Sequence, residues 1–173
     1  MKIDNTQLPG VLLIKPDIQH DFRGEYVMVY HEDKYINVRG YYIKWREECI
    51  SVSAMGTLRG IHADFSCHKL ISVFHGAIYY VVVDCVETSV NFGKWQAFIL
   101  SDKNYYQIFK PAQYGAGFLA LTEDAVFHYK QDTFYDPKRQ VTFKYDDKRF
   151  NIFWPTIGRL MSQRDTHGDS SLI

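Results

Sequence analysis

Ile78-Tyr79-Tyr80-Val81-Val82-Val83-Asp84-Cys85 is the stretch on which the fold turns, because its first six residues are all aromatic or β-branched. Such side chains suit the pleated surface of a strand. The run is shorter than an ordinary helix and does not alternate apolar with polar. It therefore predicts a strand buried on both faces, as in a sandwich core. Working outward, His75-Gly76 reads as a turn before it, and further strands are predicted at 69–74, 58–63, 95–100 and 105–109, with Pro111 breaking the chain after the last. Residues 117–121 and 125–130 follow as a strand pair, and 141–145 adds another. On the N-terminal side, 11–15 is a strand stopped by Pro16, Asp21-Phe22-Arg23-Gly24 is a turn, and 25–30 is a strand. Residues 32–36 suit a short helix, and 41–53 one or two strands. The tail from Phe153 onward has no clear period. Many short strands punctuated by Gly and Pro predict an all-β sandwich or barrel, and a double-sheet jelly roll with a concave interior is the expected form.

Composition narrows the function. With 173 residues, one domain (1–173) is expected, large enough to bury a core without staples. Lys plus Arg and Asp plus Glu each number 20. This balance gives no reason to expect nucleic-acid binding. No apolar run approaches the roughly 18–20 residues that span a bilayer. Residues 1–10 lack the basic and apolar regions of a signal peptide, so a cytoplasmic location without membrane attachment is expected. The three cysteines, Cys49, Cys67 and Cys85, form no CxxC pair and are expected as reduced, buried thiols.

Several polar residues stand in strands where chemistry is possible. In Leu58-Arg59-Gly60-Ile61-His62, Arg59 and His62 are three apart and would face opposite ways on a regular strand, but a bulge at Gly60 re-aims one of them. His62 is either a hydrogen-bonded core histidine or a general base. Tyr129 is either an ordinary strand aromatic or a proton donor in a pocket. Lys69 stabilises an oxyanion or merely ends a strand, and Asp165 alone would pass for surface charge. No His-x-His occurs, and His62 and His68 are separated by six positions with no carboxylate completing a set, so no metal site is expected.

Taken together, these residues carry a family pattern. Asp21-Phe22-Arg23-Gly24, Leu58-Arg59-Gly60-Ile61-His62, His68-Lys69-Leu70, Val83-Asp84-Cys85, Phe92-Gly93-Lys94-Trp95, His128-Tyr129-Lys130, and Trp154-Pro155 followed by residues 162–165 occur in order. In these the chain resembles the dTDP-4-dehydrorhamnose 3,5-epimerases over nearly its whole length. The resemblance implies a cupin jelly-roll homodimer, without cofactor or catalytic metal, that acts on a nucleotide-linked 4-keto sugar. By the same resemblance His62 is the general base, Asp165 the carboxylate that orients it, Tyr129 the acid on the opposite face, and Lys69 the cation beside the 4-keto oxygen. Arg59 and Arg23 match positions that hold the diphosphate, Arg23 reaching over from a partner subunit. Ser51 and Arg164 fall in segments that match substrate-binding stretches.

The departures are informative. Ala116 stands where the family has a His beside the keto oxygen, and Tyr114 or His128 is a candidate to replace that donor. Glu47-Glu48 stands in the base-reading segment. A carboxylate there accepts from the N–H groups of guanine and cannot donate to thymine. These features resemble the GDP-linked 4-keto-heptose epimerases of bacterial capsule synthesis, and a GDP-4-keto-heptose, inverted at C3 or at C3 and C5, is the expected substrate. Three alternatives are a dTDP-4-keto-6-deoxyhexose 3,5-epimerase, a sugar-nucleotide 3,4-ketoisomerase and an inactive sugar-nucleotide binder.

Overall fold

The computed structural model describes residues 1–35, 43–155 and 160–169. Its strands are β1 (Lys2–Asn5), β2 (Leu12–Lys15), β3 (Ile18–Asp21), β4 (Gly24–Val27), β5 (Glu47–Ser53), β6 (Leu58–Ala63), β7 (Lys69–His75), β8 (Ala77–Asp84), β9 (Trp95–Ser101), β10 (Gln107–Lys110), β11 (Tyr114–Ala120), β12 (Ala125–Gln131) and β13 (Val141–Thr142). Two short helices are α1 (Glu32–Tyr35) and α2 (Gln163–His167). One sheet has the order β1-β2-β10-β7-β12-β5 and the other β13-β6-β11-β8-β9, with all pairings among them antiparallel. β3 and β4 form a separate hairpin. This is the double-sheet jelly roll.

The 78–85 run sits at the centre of the second sheet, between β11 and β9. Its even members, Tyr80 and Val82, enter the core between the sheets with Ile71, Val73, Ile108 and Phe118. Val81 and Val83 face the other way, under Leu58, Ile61, Phe143, Phe150 and Trp154. Both faces are therefore apolar because both are covered, which is why the sequence shows no alternation. Ile78 is fully buried in the inter-sheet core. Ile78→Ala is expected to destabilise the protein by about 2–5 kcal/mol, the lost transfer energy plus a cavity. Urea unfolding followed by fluorescence measures it.

Some expectations need correction. Residues 117–121 and 125–130 are consecutive strands but not a hydrogen-bonded pair: β11 lies between β6 and β8, whereas β12 lies between β7 and β5. The turn between them carries the chain from one sheet to the other, which jelly-roll closure requires. Within 41–53 only β5 is a strand; residues 41–42 lie outside the described residues, as does residue 36 of the expected helix. β1, unexpected from sequence, pairs with β2 at the sheet edge. Cys67 and Cys85 are buried as expected, but Cys49 is only half-buried, and all three are free.

Candidate active site

A cavity of about 380 Å³ opens between the two sheets. Its wall on the first sheet carries Ser51 from β5, Lys69 from β7, Lys110 from β10, and Phe127 and Tyr129 from β12. The facing wall carries Arg59 and His62 from β6, Tyr80 from β8, and Ala116 and Phe118 from β11. Other depressions, by the β3–β4 hairpin and along the C-terminal segment, are larger. Neither brings a histidine base and a phenol onto facing walls, so the chemistry points to the inter-sheet cavity.

Arg59 and His62 reach one cavity because the strand is irregular. His62 pairs with Ala116 and Arg59 with Phe118, so β6 has two residues between the pairings where β11 has one. This is the expected bulge, and it turns Arg59 and His62 to the same side. Gly60 makes it possible: its φ is +117°, and an added Cβ would meet the Gly117 Cα at 2.6 Å. Only glycine fits that backbone and that approach.

The His62 Nε2 lies 2.7 Å from Asp165 Oδ1. Asp165 is held on three sides: Oδ1 also accepts from the Gly60 N–H at 3.0 Å, and Oδ2 accepts from the Ser162 hydroxyl at 2.7 Å. Ser162 in turn caps α2 by accepting from the Asp165 N–H. Burial alone would raise the Asp165 pKa, but the His62, Ser162 and Gly60 hydrogen bonds outweigh it and hold the carboxyl below its ordinary range. An ionised Asp165 takes the Nε2 proton in hydrogen bonding and leaves Nδ1 as the basic nitrogen of His62.

On the other wall, the Lys69 Nζ lies 4.4 Å from the centre of the Tyr129 ring. Burial, reinforced by the neighbouring Cys49, pushes the Tyr129 phenol well above its ordinary value. Tyr129 therefore keeps its proton. Burial also depresses Lys69. Arg59 donates to Ser53 Oγ at 3.2 Å, and Arg164 borders the cavity beside Gln140. Asp64, absent from the expected site residues, also lines it. Burial raises its pKa, but Ser66 and Arg139 lower it further, so it stays charged. Among the described residues, four cationic side chains, Arg59, Arg164, Lys69 and Lys110, line the cavity with this single carboxylate. Such a cavity favours an anion.

His62, Tyr129, Lys69, Arg59, Ser51 and Arg164 thus come together, with Asp165 behind His62. Three expected residues stand elsewhere. Tyr114 is 1% exposed and its hydroxyl donates to the Pro9 carbonyl at 2.9 Å, so it does not face the cavity. Glu47 points at the neighbouring segment, where its carboxylate accepts from Gln131 Nε2 at 3.1 Å and from the Tyr135 N–H. Both of these bonds fall on Oε2, and Glu47 does not line the cavity. Arg23 is exposed on the β3–β4 hairpin and paired with Asp21 at 2.6 Å, apart from this cavity. His128, considered as a substitute donor, turns away to Glu48 at 2.6 Å and stacks on Phe74. Lys110 was missed: a lysine closing the run Gln107-Ile108-Phe109-Lys110 looks like a solvated strand end, although alternation puts it on the inward face with Ile108. Among the described residues no cluster of His, Cys, Asp or Glu could hold a metal, and no helix is long and apolar enough to cross a membrane.

Comparison with known proteins agrees with the fold. The family model for dTDP-4-dehydrorhamnose 3,5-epimerase matches residues 5–171. The dTDP-4-dehydrorhamnose 3,5-epimerase of Escherichia coli (strain K12) is 32% identical over 169 residues, covering 95% of this chain and 91% of that protein. A dTDP-4-dehydrorhamnose 3-epimerase of Streptomyces niveus is 30% identical over 168 residues, covering 95% and 81%. The crystal structure of dTDP-6-deoxy-D-glucose-3,5-epimerase from Legionella pneumophila Philadelphia 1, in complex with dTDP-4-keto-L-rhamnose, superposes with a TM-score of 0.90 at 32% identity, covering 95% of this chain and 89% of that one. By fold, by motif order and by these likenesses, the chain belongs to the dTDP-4-dehydrorhamnose 3,5-epimerase family of isomerases.

Proposed function

We propose that this protein inverts one or both carbons flanking the keto group of a dTDP-linked 4-keto-6-deoxy sugar. One observation carries the reading: a carboxylate-oriented imidazole and a protonated phenol stand on facing walls of one cationic cavity. A ketone acidifies the hydrogens on its neighbouring carbons, because the resulting carbanion delocalises onto oxygen. In this reading His62 removes such a proton from one face of the ring, and Asp165 steadies the imidazolium. Lys69 balances the charge that develops on the ketone oxygen. Tyr129 returns a proton to the other face, and the centre inverts. Arg59 holds the diphosphate, with Arg164 and Ser51 as further contacts to the substrate. Arg23 reaches over to the diphosphate bound by a partner subunit in a homodimer. The enzyme works in the cytoplasm, without a cofactor for this step.

The relatives named above carry dTDP sugars in their names, which favours the dTDP-linked sugar over the GDP-4-keto-heptose suggested by Glu47 and Ala116. One Glu47 oxygen is taken up by Gln131 and Tyr135, and the residue does not line the cavity, which weighs against the guanine argument. The test is a side-by-side incubation with dTDP- and GDP-linked 4-keto sugars in heavy water, read by NMR at each carbon. Deuterium is expected at C3, with or without C5, in the dTDP sugar. Uptake only in the GDP-heptose would return the substrate to the heptose reading. A carbonyl moved to C3 would make the enzyme a ketoisomerase instead.

A further inference from the structure

Lys69 and Lys110 are exact cross-strand neighbours: β10 pairs with β7 so that Lys110 faces Lys69. Like charges placed directly opposite on one face repel. Both border the cavity, and Lys110 is only 2% exposed. Lys110 donates to the carbonyls of Pro111 at 3.1 Å and Tyr114 at 2.7 Å, which uses two of its three N–H groups and gives it no counter-charge. Among the described residues the lysines in ion pairs are Lys2, Lys15, Lys103 and Lys130, and neither Lys69 nor Lys110 is one of them. Asp64, the carboxylate that also lines the cavity, is already held by Ser66 at 2.6 Å and by Arg139 at 3.4 Å. A buried, uncompensated ammonium beside a second one costs stability and is retained where an anion completes it.

The proposed reaction supplies that anion only transiently. The ketone is neutral when it binds, and its oxygen becomes negative as the carbon loses its proton. Donors aimed at such a charge act on the transition state rather than on the ground state. We propose that Lys110 is a second cationic donor to the enolate oxygen, acting beside Lys69. The inference rests on the epimerase reading. It also accounts for Ala116, which lies opposite His62 in the sheet and offers only a methyl group where the resemblance implies a histidine donor.

The step balances without a further reagent. His62 takes the proton, the C–H electron pair forms a carbon–carbon double bond, and the carbonyl π pair moves to oxygen. The Lys110 ammonium hydrogen-bonds that oxygen and keeps its proton. Tyr129 then protonates the carbon from the other face as the oxygen returns to a carbonyl. The imidazolium and the phenolate recover their protonation by exchange with water.

The groups facing Lys110 are Lys69 on β7, Asp64 and Cys67 in the turn before it, and Cys85 after β8. Burial and the Lys69 charge lower Lys110 to about 8. The proton-abstraction rate is therefore expected to fall as pH rises through this region and the ammonium is lost.

Lys110→Met keeps the length of the side chain and removes its charge. The kcat for deuterium uptake is expected to fall about 10²-fold while KM changes less than about threefold. Removing one ammonium relieves Lys69 of a like charge, so the remaining alkaline limb should move to higher pH. Lys110→Arg, which keeps a cation, should stay within about tenfold of the parent, and adding Ala116→His to Lys110→Met should recover at least about tenfold. An unchanged kcat in Lys110→Met, or a loss confined to KM, overturns the assignment; the second result would mean that Lys110 holds a group already charged in the ground state. Deuterium uptake by the unaltered protein with no effect of Lys110→Met overturns this inference alone. No uptake by the unaltered protein from any 4-keto sugar overturns the epimerase reading and this inference with it.

Discussion

His62→Asn is expected to cut deuterium uptake at C3 of the 4-keto sugar by about 10³–10⁴-fold, the upper part of the range for a positioned general base. At about 1.36 kcal/mol per factor of ten, this is a loss of roughly 4–5 kcal/mol of transition-state stabilisation. Asparagine retains a planar polar side chain that can donate to Asp165, so the carboxylate is not left bare. Arg59, Arg164 and Ser51 are untouched, and nucleotide binding should therefore change only a few-fold. The loss should lie in kcat, because the base acts as the C–H bond breaks and not when the sugar binds. Titration with dTDP and a single-turnover NMR assay separate the two quantities. Uptake at the parental rate in this variant would remove His62 from its role, however well the dyad is formed.

The dyad also shows which parts of the site sequence could and could not give. Arg59-Gly60-Ile61-His62 carried its own structural instruction: a glycine between two polar residues implied a bulge, and the bulge is what turns both toward one cavity. β8 was legible because its composition left no other stable home for it. Asp165 was not legible locally. It lies about one hundred residues from His62 along the chain and meets it only because the C-terminal segment folds back over β6. Only the order of the family motifs pointed to it. Lys110 and Tyr114 failed for opposite reasons at one corner. Alternation puts Lys110 on the inward face with Ile108, where a terminal lysine passes for a solvated strand end, whereas beyond the crossing between sheets at residues 111–113 the tyrosine hydroxyl is tied to Pro9. Strand periodicity says which residues share a face, but not which face a corner turns inward. The setting of Glu47 was not legible either, because the partners of its Oε2, Gln131 and the Tyr135 amide, come from a segment more than eighty residues away.

Tyr129→Phe is expected to uncouple exchange from inversion, which makes it the more telling of the two variants. The substitution leaves in place the ring that Lys69 lies against and takes away only the hydroxyl. His62 still removes the proton, and the enolate still forms beside its cations. What is missing is a donor on the far face. The imidazolium is then the nearest acid, and it returns a proton, or a deuteron after exchange with solvent, to the face it came from. Deuterium uptake with retention should fall less than about tenfold, whereas formation of the inverted sugar should fall about 10²–10⁴-fold, the range for loss of a positioned acid. Burial of the phenol supports this division of labour. It holds Tyr129 in its protonated form at neutral pH, as a donor for a carbanion and not as a competing base. Proton NMR of the product, with the deuterium content of each epimer counted separately, reads both rates from one sample. Equal loss of uptake and inversion would place Tyr129 on the same step as His62, and an unchanged yield of inverted sugar would assign the second proton to another group. Either result would break the two-sided arrangement, since inversion requires that the hydrogen leave by one wall of the cavity and return by the other.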